Sequence, residues 1–233
     1  MYAGIQLGKR LAAVAAMVRP GSRVADIGTD HAYLPVFLLQ NGTCPSAIAA
    51  DIRPGPAASA ARTVAAAGLA DRISVRLGNG LSPVAAGEVS DIVIAGMGGE
   101  TIAEILAAAG WVRDSTIHLV LQPMSKPERL RRFLMEQGFS ILEERVVRED
   151  GRLYAVLSAA YTGCTVSPTA TACYLGAVPH TSEGMAYIER HRARLLKRME
   201  GLVGSDGCPE EIEELRQTAT EMGDWLEDGS RNS

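Results

Sequence analysis

A chain of 233 residues with 47% hydrophobic residues is long enough for one α/β domain plus an appendage and can bury a sizeable core. No apolar run approaches the ~20 residues that a membrane helix needs, and a formal net charge of -4 argues against a nonspecific polyanion binder while leaving room for a local basic surface. Cys44, Cys164, Cys173 and Cys208 show neither a C-x-x-C pair nor metal-ligand spacing, so reduced thiols in a cytoplasmic protein, with no metal and no membrane partner, are the expectation.

Leu7, Leu11, Val14 and Val18 recur at helical spacing until Pro20-Gly21 breaks the run. This predicts an amphipathic opening helix, and with no convincing A-x-A site after it, no cleaved leader. Short β-like runs then alternate with helical stretches. Strands are predicted at 23–27, 47–51, 73–77, 91–95 and 117–121, and helices near 32–40, 56–67, 100–109 and 126–137. Strand, helix, strand in repetition implies a parallel sheet. The alternation then changes, because 139–147 and 152–160 are strand-like and joined only by Glu149-Asp150-Gly151, which predicts an antiparallel hairpin closing the sheet. The small, polar stretch from 161 to 181, broken by Pro168, Gly176 and Pro179, marks a boundary between domains at 1–160 and 161–233. Beyond it, Met185, Ile188, Arg192, Leu195, Met199 and Leu202 fall at alternating spacings of three and four, as do Ile212, Leu215, Ala219, Met222 and Leu226. Gly204-Ser205-Asp206-Gly207-Cys208-Pro209 separates them, so the tail reads as an antiparallel, coiled-coil-like helical hairpin with Arg192 interrupting its apolar seam.

The chemistry-bearing residues sit where these strands end. The first strand runs into Asp26-Ile27-Gly28-Thr29-Asp30-His31, at the place where a doubly wound sheet binds a nucleotide. A glycine admits close backbone approach and the following helix start offers amides to an anionic group. The pattern is D-x-G-x-D rather than G-x-G-x-x-G, and acidic side chains repel a pyrophosphate but suit a ligand carrying an ammonium and a sulfonium. That favours S-adenosylmethionine over NAD, and the closing hairpin is a feature of class I methyltransferase sheets rather than of dinucleotide-binding ones. Asp51 ends the second strand, 23 positions after Gly28, either as a ribose-binding carboxylate or as a solvent-facing one. Gly78-Asn79-Gly80 follows the third strand, as an adenine-sized opening with a pairing amide or as an ordinary turn. In Ala95-Gly96-Met97-Gly98-Gly99 nothing can act as a general base, which suits a ring nitrogen with a free lone pair better than an exocyclic amine. Gln122-Pro123-Met124 ends the fifth strand, where the amide either reads a base edge or caps the next helix.

LGKRL at 7–11, DIGTDHAYLP at 26–35, GNG at 78–80, IAGMGG at 94–99, LQP at 121–123 and REDGRLY at 148–154 together resemble the bacterial tRNA methyltransferases that make N1-methyladenosine at position 22. The resemblance spans residues 1 to about 160. It implies a Rossmann-like catalytic domain followed by a helical, coiled-coil-like one, and contacts to the methyl donor from Asp26, Gly28, Asp30, Asp51, Asn79 and Gly80. The strand-end positions add Gly78, Gly96 and Met97 to the expected donor pocket. Some relatives carry Asn after Q-P where this chain has Met124.

The expected partner is tRNA. Lys126, Arg129, Arg131 and Arg132 form one basic cluster, Arg190, Arg192, Arg194, Lys197 and Arg198 a second, and Lys9 with Arg10 a third candidate; each holds phosphates or is simply solvated. The second has a further alternative, pairing with Glu210, Glu211, Glu213, Glu214 and Glu221 on the neighbouring helix. The expected reaction takes an adenine out of the tRNA stack and positions N1 for methyl transfer. Asp30, His31 and Gln122 are the candidates to stabilise the cationic product. Tyr154 either stacks on the base or fills the core, and His31 either starts the helix or takes part in chemistry. An NAD-dependent oxidoreductase and a noncatalytic RNA-binding protein are the competing readings.

Overall fold

The computed structural model describes residues 4–205 and 207–231; Asp206, in the expected interhelical link, lies outside the described residues. Seven strands form one mixed sheet: β1 (Val24–Ile27), β2 (Ala47–Asp51), β3 (Ile73–Leu77), β4 (Asp91–Gly98), β5 (His118–Ser125), β6 (Phe139–Glu149) and β7 (Arg152–Tyr161). Their order is β3-β2-β1-β4-β5-β7-β6. The first five are parallel, and β7 inserts antiparallel between β5 and β6. The strand order reverses between β1 and β4, which opens a crevice at the carboxyl ends of both.

Alternation along the buried strands divides the core in two. Ala25, Ile27, Ile92, Ile94, Leu119 and Leu121 pack against α4 (Gly99–Ala107) and α5 (Pro127–Glu136). On the opposite face Val24, Ala47, Ala49, Val93 and Val120 meet α1 (Lys9–Ala15), α2 (Tyr33–Gln40) and α3 (Pro54–Ala66). A strand covered on both faces must be apolar throughout, as β1 and β2 nearly are. Only Asp26 and Asp51 break their runs. The β6–β7 hairpin turns through Asp150 and Gly151, both at positive φ, the backbone that a two-residue turn matched to strand twist requires.

A short helix, α6 (Ala170–Leu175), occupies the stretch read as an irregular boundary. Thr169 caps it by accepting a hydrogen bond from the Ala172 amide at 3.1 Å, a local contact that six residues of weak periodicity do not announce. The tail comprises α7 (Ser182–Val203) and α8 (Pro209–Arg231). Arg198 pairs with Glu211 and Arg192 Nε donates to the Ala219 carbonyl at 2.9 Å, so the two helices run antiparallel. Arg192, the interruption in the apolar seam, packs where Gly223 has no side chain. Ile188, Leu195, Leu215 and Met222 pack together with Ala155 and Leu157 of β7, so the tail shares a core with the sheet. No helix among the described residues is long and apolar enough to cross a membrane.

Arg131 corrects one expectation. Its place in a basic cluster predicts that it meets phosphates, but it is fully buried. Its Nε and Nη2 donate to the two Glu144 carboxylate oxygens at 2.9 and 2.7 Å, and Nη1 donates to the Cys173 and Tyr174 carbonyls of α6. A guanidinium with its donors spent on protein partners cannot reach a nucleic acid. Arg132 is half-buried and holds Glu136 and the Pro168 carbonyl; of that cluster only Lys126 and Arg129 are exposed.

Candidate active site

The carboxyl ends of β1, β2 and β4, the turn after β3 and the start of α4 surround a cavity of about 980 Å³, the size of a small-molecule site. Asp26, Gly28, Asp30, His31, Asp51, Gly78, Asn79, Gly80, Gly96 and Met97 all line it. The predicted donor residues are thus brought together, although they come from four separate strand ends.

Asp26, Asp30, Asp51 and Glu104 are its carboxylates, and two of them are buried. Asp26 is 5% exposed and Asp51 4% exposed. Burial, reinforced by the nearby Asp51 charge and only partly offset by a hydrogen bond from Thr29, pushes the Asp26 carboxyl up to about 6, because the charged form loses its water. Thr29 Oγ1 donates to Asp26 at 2.6 Å. Asp51 accepts from the Arg53 amide at 2.9 Å and from the Asp30 amide at 3.3 Å, which fixes the carboxylate and leaves acceptor capacity facing the cavity. Its burial excludes the solvent-facing alternative.

The loop between these acids is held in an uncommon conformation. Gly28, Asp30 and Ala32 all have positive φ, and a side chain at position 28 would collide with Met97. For Asp30 and Ala32 such backbone is costly and persists where surroundings impose it. The amides of Gly28 and Thr29 donate to the Ala50 carbonyl, and that of Ala32 to the Thr29 carbonyl. With the Asp30 amide already bonded to Asp51, these amides are used on the end of β2 and within the loop, so acidic side chains rather than an amide cradle dominate it.

His31 is exposed, its Nδ1 2.8 Å from Ser59 Oγ and its ring stacked on Tyr33 at 5.2 Å. Gln122 departs from its expected role. It is fully buried, its Oε1 accepting from Arg10 Nη1 at 2.7 Å and from the Gly96 amide at 3.1 Å, while Nε2 donates to the Pro123 carbonyl at 2.9 Å. An amide so fully satisfied cannot read a base edge; it positions Arg10 and the Gly96 turn. Arg10 therefore lines the cavity instead of standing in solvent like Lys9. Glu149 accepts from the Arg10 amide at 3.2 Å and lies 3.7 Å from its guanidinium, and the guanidinium lies 5.9 Å from the centre of the Tyr154 ring. Tyr154 is half-buried beside the cavity, not in its lining.

Ile52, Thr101, Ile105 and Trp111 also line the cavity, and no motif in the sequence points to them. Ile52, directly after Asp51, is 58% exposed, an apolar surface suited to a flat ring. Its place beside a strand-end carboxylate is the one signal that could have found it. Trp111 lies in a 3₁₀ turn at Gly110–Val112 and has no local pattern around it.

Comparisons with known proteins agree with this geometry. A methyltransferase domain family matches residues 7–157. The tRNA (adenine(22)-N(1))-methyltransferase of Bacillus subtilis is 41% identical over 170 residues, covering 70% of this chain and 71% of that protein. The crystal structure of the B. subtilis m1A22 tRNA methyltransferase TrmK superposes with a TM-score of 0.82 at 31% identity, over 97% of this chain and 99% of that one. A putative tRNA (m1A22) methyltransferase from Streptococcus pneumoniae, solved in complex with S-adenosyl-L-methionine, gives a TM-score of 0.78 at 32% identity over 92% of this chain and 100% of the other. The chain belongs to the methyltransferase-domain family and, within it, to the tRNA (adenine(22)-N(1))-methyltransferases.

Proposed function

We propose that the protein transfers the methyl group of S-adenosyl-L-methionine to N1 of an adenosine in tRNA, at position 22 as its relatives' names state. The observation that carries this reading is the buried Asp26–Asp51 pair beneath a cavity whose β4 wall, Ala95 to Met97, offers no side-chain proton acceptor. The donor set fits the cofactor. A carboxyl that burial has made reluctant to ionise gains most from a cationic ligand, and the same acids would repel the pyrophosphate of NAD.

When bound, S-adenosyl-L-methionine supplies an electrophilic methyl group on a sulfonium. Asp51 would accept hydrogen bonds from ribose hydroxyls, Ile52 and Trp111 would flank the adenine ring, and Asn79 would pair with its edge. Asp26 would supply negative charge to the amino-acid end. Since adenine N1 attacks with a free lone pair, Gly96 and Met97 need only shape the wall, and positioning supplies most of the rate. Asp30 and His31, exposed at the rim, would face the cationic product. Glu149 offsets the charge of Arg10, which would otherwise oppose that product.

Residues 1–160 would thus carry donor binding and chemistry, with residues 161–233 adding RNA contacts through Arg190, Arg194 and Lys197, beside Lys9, Lys126 and Arg129. tRNA as substrate and four free thiols favour a cytoplasmic location. Methyl incorporation tests the reading. Labelled methyl should enter a tRNA transcript bearing adenosine 22 and fail to enter one with guanosine there; equal labelling of both would overturn the position, and none in either the substrate.

A further inference from the structure

A second cavity, of about 580 Å³, is lined by Pro123, directly after Gln122, and by Tyr154. It runs between the loop after β5, the start of β7 and one face of α7. Arg152, Arg190, Arg194, Arg198 and Lys126 line it against a single carboxylate, Glu128. Lys126 is paired with Glu100 and Arg198 with Glu211. Among the described residues no carboxylate lies within ion-pair distance of Arg152, Arg190 or Arg194, all three exposed. Three free guanidiniums in a concave surface of an acidic protein repel one another unless an anion joins them.

Aromatic rings line the same groove. Tyr154, Tyr174 and His191 line it, with the His191 ring 6.2 Å from that of Tyr174. Burial, with the Arg131, Arg194 and Arg190 charges around it, pushes His191 down to about 4, so it is a neutral ring at physiological pH. Flat faces beside unpaired guanidiniums are the combination that holds an unstacked base and its phosphates. Tyr154 joins this groove to the donor cavity, since it lies under Arg10, which lines that cavity.

We infer that this groove seats an unpaired nucleotide next to the target adenosine, its base against Tyr174 and Tyr154 and its flanking phosphates on Arg190, Arg194 and Arg152. The inference rests on tRNA being the substrate and names where the strand leaving the target base is held. Its function would be to keep the extruded adenosine from restacking, by holding the neighbour that it would stack on.

The test measures binding of the full protein to an in vitro tRNA transcript across a salt series, with calorimetry for S-adenosyl-L-methionine in parallel. Arg190→Gln/Arg194→Gln should weaken tRNA binding by about tenfold or more, with a salt slope shallower by about 0.7 for each phosphate no longer neutralised and unchanged donor affinity. Tyr174→Ala should weaken it by about fivefold to hundredfold, as removal of one stacked base does, while Tyr174→Phe, which keeps the ring, binds as wild type. The arginine pair is surface-exposed and tests the seat even if Tyr174→Ala fails to fold. Wild-type affinity and salt slope in the arginine variant would overturn the inference. So would an arginine effect with none from a folded Tyr174→Ala, the mark of a duplex backbone lying across the charges. A wild-type protein that neither binds nor methylates tRNA would overturn the functional reading itself, a failure separate from that of the groove.

Discussion

At Asp26 the cost of burying a carboxylate becomes an observable. Its carboxyl is pushed up to about 6 by burial, so its contribution to folding is fully present below the ordinary carboxylate pKa and is lost as pH rises from about 4 through about 6, where the native state must ionise a buried group. Asp26→Asn should therefore make the ligand-free protein more stable at pH 7.5 by on the order of 1 to 3 kcal/mol, with the gain shrinking toward pH 5. Urea unfolding at the two pH values measures this, and a pH-independent difference contradicts it. The same substitution should weaken S-adenosyl-L-methionine binding, and wild-type affinity should fall below pH 6 as a proton competes with the cationic ligand. Asp51→Ala should cost about tenfold or more in donor affinity, the loss of charge-assisted hydrogen bonds. Unchanged calorimetric affinity in a folded Asp51→Ala protein would remove that residue from the site.

Among the elements, α5, β6, α6 and α7 are tied through one buried guanidinium. Arg131 and Glu144 are fully enclosed, Glu144 also accepting from the Ala177 amide at 3.0 Å, and Arg131 approaches the Tyr187 ring of α7. Glu144→Ala should destabilise the protein by about 3 to 5 kcal/mol, since it leaves a buried charge without its partner. Thermal unfolding of that variant beside Arg131→Met/Glu144→Leu separates the two costs, because the apolar pair should recover most of the loss; equal losses in both would contradict the account. This clamp also shows what a linear sequence conceals. The strands, the D-x-G-x-D loop, Asp51 and the glycine turns announce themselves because their chemistry is local: alternation, breakers and strand-end acids. Gln122 and Arg131 do not, since what decides their roles lies elsewhere in the chain, Arg10 being 112 residues from Gln122 and the α6 carbonyls 42 and 43 from Arg131. Ile52 and Trp111 escape notice for the opposite reason, as an apolar residue near a strand end reads as core until the cavity is seen.

For the whole molecule, a net charge of -4 coexists with a basic face because charge is segregated. Carboxylates crowd the outer face of α8 and the donor cavity, while exposed arginines of α7 turn toward the loop after β5. The acid-lined cavity and the base-free wall of β4 together lead to one claim: a ring nitrogen of adenine, not its exocyclic amine, receives the methyl group. The most direct measurement incubates the protein with unmodified tRNA and S-adenosyl-L-methionine, digests the RNA at neutral pH and separates the nucleosides by mass spectrometry. The product should co-elute with 1-methyladenosine. Its appearance as 6-methyladenosine under those conditions would contradict the account, because it would put the exocyclic amine rather than the ring nitrogen at the methyl donor.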